Sequence, residues 1–302
     1  MEVASTPVVA VERYRSWLLT ERGLSAETAR CYGNWAFKFC DGLGRDLAVR
    51  LAGLTAADVT GYVVTSAGRI EAQESAKAMV TALRSFLRFA CVAGWTSRDL
   101  SGAVLATASW RLDSIPRGLP EGVTTALADS CDTGTLTGLR DRAVIVLLTV
   151  LGLRRGEVAG LRLTDIDWRG GLIQVTGKAN RTEKLPLPAA AGQALAAYVT
   201  GGRPTDAGDM VFVTVRKPLH PISPAAVTGI VRQACRRAGI DPVGPHRFRH
   251  TLACQMLRAG ASLPEIGQVL RHQSTLSTSV YAKVDYDRLR PLARPWPLPA
   301  GR

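Results

Sequence analysis

The sequence lacks the features of several large protein classes. Its six cysteines form no CxxC pair and no dense framework, which argues against a disulfide-stapled fold and favours reduced, buried thiols in a cytoplasmic protein. The longest strongly apolar stretch, residues 143–152, is too short to cross a bilayer and indicates a buried helix. No signal peptide, internal repeat or low-complexity tract is visible. A membrane protein is therefore not expected.

Acidic side chains are too few to balance the basic ones. The formal net charge is +13, with 46% hydrophobic and 21% charged residues, so a packed core is expected. Residues 1–119 carry 14 basic and 11 acidic side chains, whereas residues 120–302 carry 24 and 14. The excess indicates a polyanionic partner, nucleic acid ahead of a membrane surface. The alternative is a charged surface that only keeps the protein soluble.

The first hundred residues show the spacing of helices. Apolar positions recur at helical intervals over residues 9–22 and 71–93, and Ser25 is placed to cap a helix that ends near Gly42. Thr55, followed by Asp58, resembles a capping box at the start of another helix. These four segments predict a compact helical domain.

The remainder of the chain mixes helices with short β-compatible runs. Residues 172–175 and 183–187 surround a Gly-containing turn, which predicts a hairpin, and residues 210–215 predict a third strand. Ser223 followed by Pro224, and the sequence SLPE from Ser262, predict helix starts. Other helices are predicted at 121–130 and 139–151, in RGEVAGL, from 245, and at 274–284. The fold class is therefore mainly α with a small antiparallel β-sheet (α+β).

Loss of periodicity marks the expected domain boundaries. Residues 106–120, which contain prolines and a glycine, are predicted to link a helical domain of residues 1–105 to a second domain of residues 121–284. Residues 285–302, rich in Pro and Arg, form a C-terminal tail.

The sequence GPHRFRHTLACQML concentrates basic and protonatable groups at a helix start. On a helix beginning near Pro245, His246, Arg249 and His250 share one flank, away from the apolar stripe. The free N–H groups and partial positive charge of the helix N-terminus add to this field. The segment therefore favours an anion, and the charge of the chain points to a phosphate.

A zinc site is the competing interpretation of the same segment. His246 and His250 have the i, i+4 spacing of a zinc-binding helix, and His272 could be a third ligand. However, position 247 is Arg where a zinc protease has Glu, and Arg249 between the ligands would repel a dication. No metal is expected.

Three further segments carry charged or nucleophilic groups at informative spacings. GLRRGEVAGLRLTDID contains Arg154 with Glu157 three residues later, and VTGKANRTEKLPLP places Lys178 in the hairpin turn. VLRHQSTLSTSVY contains His272 and, nine residues later, Tyr281. Taken singly, each of these residues has an ordinary structural explanation.

Together with the HRFRH segment, these positions resemble, in order and spacing, the active-site boxes of the tyrosine recombinases, the phage integrase family. The resemblance covers about residues 140–284. The N-terminal helices resemble, less specifically, the SAM-like core-binding domain of the family. The resemblance implies a site-specific DNA recombinase or integrase that cleaves and rejoins DNA at mobile-element or chromosomal sites.

The resemblance also implies a role for each catalytic position. Tyr281 is expected to attack a DNA phosphodiester and form a 3′-phosphotyrosyl bond, which stores the bond energy, so no cofactor is needed. Arg154 and Arg249 would stabilise the charge of the transition state, and Lys178 would protonate the leaving 5′-oxygen. His246 would contact the phosphate or take the tyrosine proton.

The supporting and DNA-binding positions follow in the same way. His272 would donate a hydrogen bond to a non-bridging oxygen, Glu157 would orient the basic groups, and His250 would support the site. Arg271 stands where glycine is common in the family and is expected to seek flanking phosphate. The expected DNA-binding residues are Arg155, Arg232, Arg236 and Arg271.

The expected partner is double-stranded DNA. The family resemblance implies a homo-tetramer on two recombination sites, a monomer in solution, action at the bacterial nucleoid, and room for accessory DNA-bending proteins. Two alternatives remain open: a DNA-binding regulator that has the fold without the chemistry, and a type IB topoisomerase, which uses similar chemistry as a monomer.

Overall fold

The computed structural model describes residues 6–69, 73–106, 118–177, 181–271, 278–279 and 281. The chain divides into two units, Met1–Arg111 and Leu112–Arg302, and the division falls within the predicted linker. Each unit has a hydrophobic core of its own. Across the described ranges, no helix is both long enough and apolar enough to cross a membrane.

The first unit is helical throughout its described residues. Its helices are α1 (Pro7–Thr20), α2 (Ala26–Gly42), α3 (Leu47–Ala52), α4 (Ala56–Gly68) and α5 (Gln73–Val92), followed by a 3₁₀ turn at Ser101–Ala103. The predicted caps are confirmed, because the Ser25 hydroxyl accepts from Thr28 N, and Thr55 and Asp58 form a reciprocal capping box. The short helix α3 was not predicted. It has only six residues, and its N-cap residue, Asp46, makes no side-chain capping bond.

Aromatic side chains fill the core of the first unit. Tyr14 is fully buried, and its ring lies 5.3 Å from that of Phe86 and 5.4 Å from that of Phe89. The Tyr14 hydroxyl donates to the carbonyl of Ala82, so its polar end is satisfied within the core.

The second unit combines helices with a three-stranded sheet, so the predicted fold class is confirmed. Its helices are α6 (Val123–Asp129), α7 (Leu136–Val150), α8 (Arg155–Ala159), α9 (Ala189–Gly201), α10 (Pro224–Arg237), α11 (Pro245–Arg258) and α12 (Leu263–Val269). Its strands are β1 (Ile166–Asp167), β2 (Leu172–Thr176) and β3 (Thr182–Pro186), preceded by a 3₁₀ turn at Leu163–Asp165.

The sheet confirms the predicted hairpin and corrects the predicted third strand. β2 and β3 pair antiparallel, with Leu172 opposite Pro186 at one end and Thr176 opposite Thr182 at the other. β1 pairs antiparallel with the other edge of β2, so β2 is the central strand. Residues 210–215 form no strand; Met210 and Val213 make only isolated bridges. Their apolar run reflects burial in the core rather than sheet pairing.

Helix α7 forms the centre of the second core, as its apolar sequence predicts. Ala143, Val144 and Ile145 are completely buried. Helix α9, rich in alanine and without a side-chain cap, was not predicted. The predicted helix at 274–284 lies largely outside the described residues, as does the tail at 285–302.

Helix α11 begins at Pro245, as predicted, and is fixed on two sides. Phe248 is inserted into the core of the unit. On another side, Arg247 donates to the carbonyl of Gly118 at 3.2 Å, and Leu119 N donates to the Thr251 hydroxyl at 2.8 Å. The first turn of α11, which carries the basic groups, is therefore held in place.

Candidate active site

Arg249 is a buried cation with unused hydrogen-bonding capacity. It is only 2% exposed, and its Nη1 donates to the carbonyl of Gly152 at 2.8 Å. Gly152 has a φ of +56°, and a Cβ at this position would lie 3.0 Å from the Leu270 side chain. Glycine therefore allows both the backbone conformation and the close packing of Leu270 against residue 152. Nη2 of Arg249 is also buried, and within the described part of the chain it has no partner. A buried N–H without an acceptor is costly, which points to a bound anion as the missing partner.

The electrostatics of Arg249 agree with this interpretation. Burial, together with the charges of Arg154 and Arg271, lowers the pKa of Arg249 to about 10. The guanidinium is therefore still charged at neutral pH, but at a cost in free energy that an anion would relieve.

Arg154 lies beside this group, at the start of α8. Its Nη1 donates to Glu157 Oε1 at 2.6 Å and its Nη2 to the carbonyl of Arg271 at 3.0 Å. The backbone N–H of Arg154 donates to Glu157 Oε2 at 2.9 Å, so the carboxylate caps the first turn of α8. Its side chain remains 37% exposed, so part of the guanidinium can reach a ligand.

Glu157 is shared between two arginines. Its side chain is 3% exposed and accepts from Arg271 Nη2 at 2.9 Å as well as from Arg154. Burial acts to raise the pKa of Glu157, but Arg271 and Arg154 outweigh it, so the pKa is lowered and the carboxylate is ionised.

The position of Arg271 differs from the expected DNA contact. Its side chain is 4% exposed and lies against Glu157, which leaves no surface for a flanking phosphate. The attraction of a buried carboxylate explains this position. The two residues are 114 apart in sequence, so no local pattern could have revealed the pair.

Tyr281 lies in the same site, bonded to His250. The tyrosine is 2% exposed, and its hydroxyl is 2.7 Å from His250 Nδ1. Burial raises the pKa of Tyr281 to about 12, and burial with the nearby His246 lowers the pKa of His250 to about 4. Both groups are therefore neutral at pH 7, and the phenol can donate to the imidazole.

His246 makes no hydrogen bond to the Tyr281 hydroxyl within the described residues. Accepting the tyrosine proton was one of its two expected roles. Its ring meets that of His250 edge to face, with centroids 4.5 Å apart. The His246 side chain is exposed, yet desolvation by neighbouring atoms, with the charges of Arg249 and Arg154, lowers its pKa. His246 thus presents a largely neutral imidazole to a ligand at the surface of the site.

The other predicted residues fall into two groups. Lys178 and His272 lie outside the described residues. Arg155, Arg232 and Arg236 are exposed, and in the described ranges none of the three forms an ion pair. Arg232 and Arg236 are one turn apart on α10, so they project from the same face.

The assembled groups suit an anion rather than a metal ion. Arg154 and Arg271 both bond to the one carboxylate, Glu157, and Arg249 adds a third positive charge nearby, which leaves an excess of positive charge near Tyr281. Over the described residues, no three His, Cys, Asp or Glu side chains come together to hold a metal. The site therefore combines a nucleophilic phenol with cations that can bind an anionic group.

Two family models match the chain. The model described as Phage integrase family matches residues 118–288, and the model of the phage integrase N-terminal SAM-like domain matches residues 11–94. A Sinorhizobium fredii protein named as an integrase/recombinase, y4rA, is 44% identical over 95% of this chain and 70% of its own length. Tyrosine recombinase XerD of Corynebacterium glutamicum is 28% identical over 95% of this chain and 97% of its own length.

Solved structures share the fold at low sequence identity. XerH recombinase bound to a palindromic difH substrate after cleavage has a TM-score of 0.69 at 16% identity, covering 93% of this chain and 83% of XerH. A lambda integrase dimer bound to a core site has a TM-score of 0.67 at 19% identity, covering 90% and 93%. A lambda integrase tetramer bound to a Holliday junction has a TM-score of 0.68 at 19% identity, covering 91% and 77%.

Proposed function

Since the chain belongs to the phage integrase family, whose tyrosine recombinases cleave and rejoin DNA, we propose that Tyr281 is the nucleophile of its site-specific recombination. The observation that supports this most is the unpartnered Nη2 of Arg249 in the same site as the buried hydroxyl held by His250. A phosphodiester would satisfy the guanidinium and meet the phenol.

The proposed cleavage step is a displacement at phosphorus. The Oη of Tyr281 forms a bond to phosphorus while the bond to the 5′-oxygen breaks, which leaves a 3′-phosphotyrosyl link. His250 Nδ1, already 2.7 Å away, takes the phenol proton, and Lys178 gives a proton to the 5′-oxygen. Rejoining reverses these transfers when a 5′-hydroxyl attacks the link.

The arginines stabilise the charge that develops on the non-bridging oxygens. Arg249 offers its free Nη2, and Arg154 its exposed edge, while His246 and His272 add hydrogen bonds. Each of these donors acts where negative charge increases in the transition state, so each should contribute on the order of 3 kcal/mol to the barrier.

Both units are proposed to bind duplex DNA. In this proposal, Arg232 and Arg236 on α10 contact base edges and Arg155 contacts the backbone, which the exposure of all three side chains supports. A fold-level relative is a tetramer on a Holliday junction, and we propose the same assembly here, from a cytoplasmic protein that is monomeric in solution. Light scattering with and without paired DNA sites tests the change of state.

Covalent trapping tests the chemistry. Nicked duplexes that carry candidate sites from the flanking DNA should give a covalent protein–DNA adduct with the native chain. Tyr281→Phe should abolish the adduct and keep DNA binding, whereas the matched change Tyr32→Phe, in the first unit, should leave the adduct unchanged. An adduct with Tyr281→Phe contradicts the proposal.

The same material separates the two alternatives. Site-specific binding by the native chain without any adduct favours the regulator. Relaxation of supercoiled DNA that carries no recombination site, by a monomer, favours the topoisomerase.

A further inference from the structure

Arg271 is the least expected member of the site. It directly follows Leu270, which caps α12, and its φ of +55° lies in the left-handed region that favours glycine. Among the described residues, only one other non-glycine residue, Asp46, has a positive φ. An arginine at such a position is disfavoured locally, so its side chain must make interactions elsewhere that retain it.

Those interactions converge on Arg154. The Arg271 carbonyl accepts from Arg154 Nη2 at 3.0 Å, and the Arg271 guanidinium donates to Glu157 Oε2 at 2.9 Å. The other oxygen of Glu157 accepts from Arg154 Nη1 at 2.6 Å. Residue 271 therefore contacts Arg154 once directly and once through the carboxylate.

The charges show what this arrangement changes. With Arg154 alone, Glu157 would form a neutral pair that offers little net charge to a phosphate. Arg271, whose side chain is 4% exposed, neutralises the charge of the Glu157 carboxylate and cannot itself reach solvent. The half-exposed Arg154 then carries the surplus positive charge of the group, on the side open to a ligand.

From these contacts we infer that Arg271 is a positioning residue, which holds Arg154 through Glu157 and through its own carbonyl and keeps the charge of Arg154 available for the scissile phosphate. The inference rests on the proposed function. It assigns Arg271 to the catalytic step rather than to DNA binding.

Single-turnover kinetics test this role. The rate of covalent adduct formation is measured at saturating nicked DNA, well below the melting temperature of each variant, alongside the dissociation constant for the same duplex. Arg271→Met should slow adduct formation on the order of 100-fold, because a small displacement of Arg154 is enough for such a loss. The dissociation constant should change by less than about threefold, because the side chain is buried.

Three companion variants separate positioning from other effects. Arg271→Gly relieves the backbone strain and should still be slow, and Arg271→Lys, which keeps the charge, should recover part of the rate. Arg162→Met removes an exposed arginine that also pairs with a carboxylate, Asp209, and should match the native rate.

A double substitution provides the readout that a merely structural role would not give. If Arg271 acts through Arg154, adding Arg271→Met to Arg154→Met causes no further loss of rate, because the partner is already gone. A multiplicative further loss, or a native rate for Arg271→Met or Arg271→Gly, overturns the inference. Absence of an adduct with the native chain would instead count against the proposed function.

Discussion

Replacing Arg249 by methionine should separate stability from catalysis. The difference between its pKa of about 10 and the ordinary guanidinium value corresponds to about 3 kcal/mol by which the folded protein disfavours this charge. Methionine removes that cost, but it leaves the carbonyl of Gly152 without its donor, which costs about 1–3 kcal/mol. Arg249→Met should therefore be as stable as the native chain, or more stable by up to about 2 kcal/mol.

Its catalysis should change in the opposite direction. Loss of one preorganised donor should lower the rate of covalent adduct formation about 10²- to 10³-fold. Urea unfolding gives the stability, and single-turnover trapping on nicked DNA gives the rate.

A second arginine offers the matched control. Arg203 donates to the carbonyls of Pro204 and Met210 and lies outside the candidate site. Arg203→Met should lose stability while the folded protein keeps the native rate. A loss of more than about 1 kcal/mol in Arg249→Met, or a native rate in that variant, would show that the buried charge of Arg249 is not destabilising or does not serve catalysis.

Three further predictions concern other parts of the second unit. Because the unfolded chain protonates His250 near pH 6.5 and the folded chain only near pH 4, the free energy of unfolding should fall by at most about 3 kcal/mol as pH decreases through this window. Urea titrations at several pH values should show this loss in the native chain and not in His250→Asn. If the free energy of unfolding falls equally with pH in both proteins, His250 is not its cause. Gly152→Ala should destabilise by about 1–3 kcal/mol, since φ is +56° and a Cβ would lie 3.0 and 3.1 Å from two leucine methyl groups. Gly156→Ala, with open space around it, should be neutral or stabilising in the same denaturation experiment. Alanine at Arg232 or Arg236 should weaken binding to the recombination site by about 1–3 kcal/mol and hardly affect binding to random DNA. An equal loss of affinity for the two kinds of DNA would show that these side chains contact only phosphates.

Local signals in the sequence predicted much of the fold. Ser25, Thr55 and Ser262 cap helices where the sequence places them, because a capping bond reaches only two or three residues. The start of α11 at Pro245 follows from the same local rule. The strand predicted at 210–215 was wrong, because pairing depends on a neighbouring edge that local sequence does not specify.

The site shows the same division between local and distant information. The resemblance of the motifs to the phage integrase family predicted that Arg154, Arg249 and Tyr281 share one site, because each lies within a short segment that can be recognised locally. The bond from Tyr281 to His250, rather than to His246, depends on side-chain orientations within one helix turn. The burial of Arg271 against Glu157 depends on a contact between residues 114 apart, which no spacing in the sequence encodes.

Mapping the covalent link would show directly whether Tyr281 is the nucleophile. The trapped adduct would be digested with protease and nuclease, and the modified peptide sequenced by mass spectrometry. We expect one nucleotide joined by its 3′-phosphate to the side chain of Tyr281. Attachment to any other residue, or through a 5′-phosphate, would contradict it.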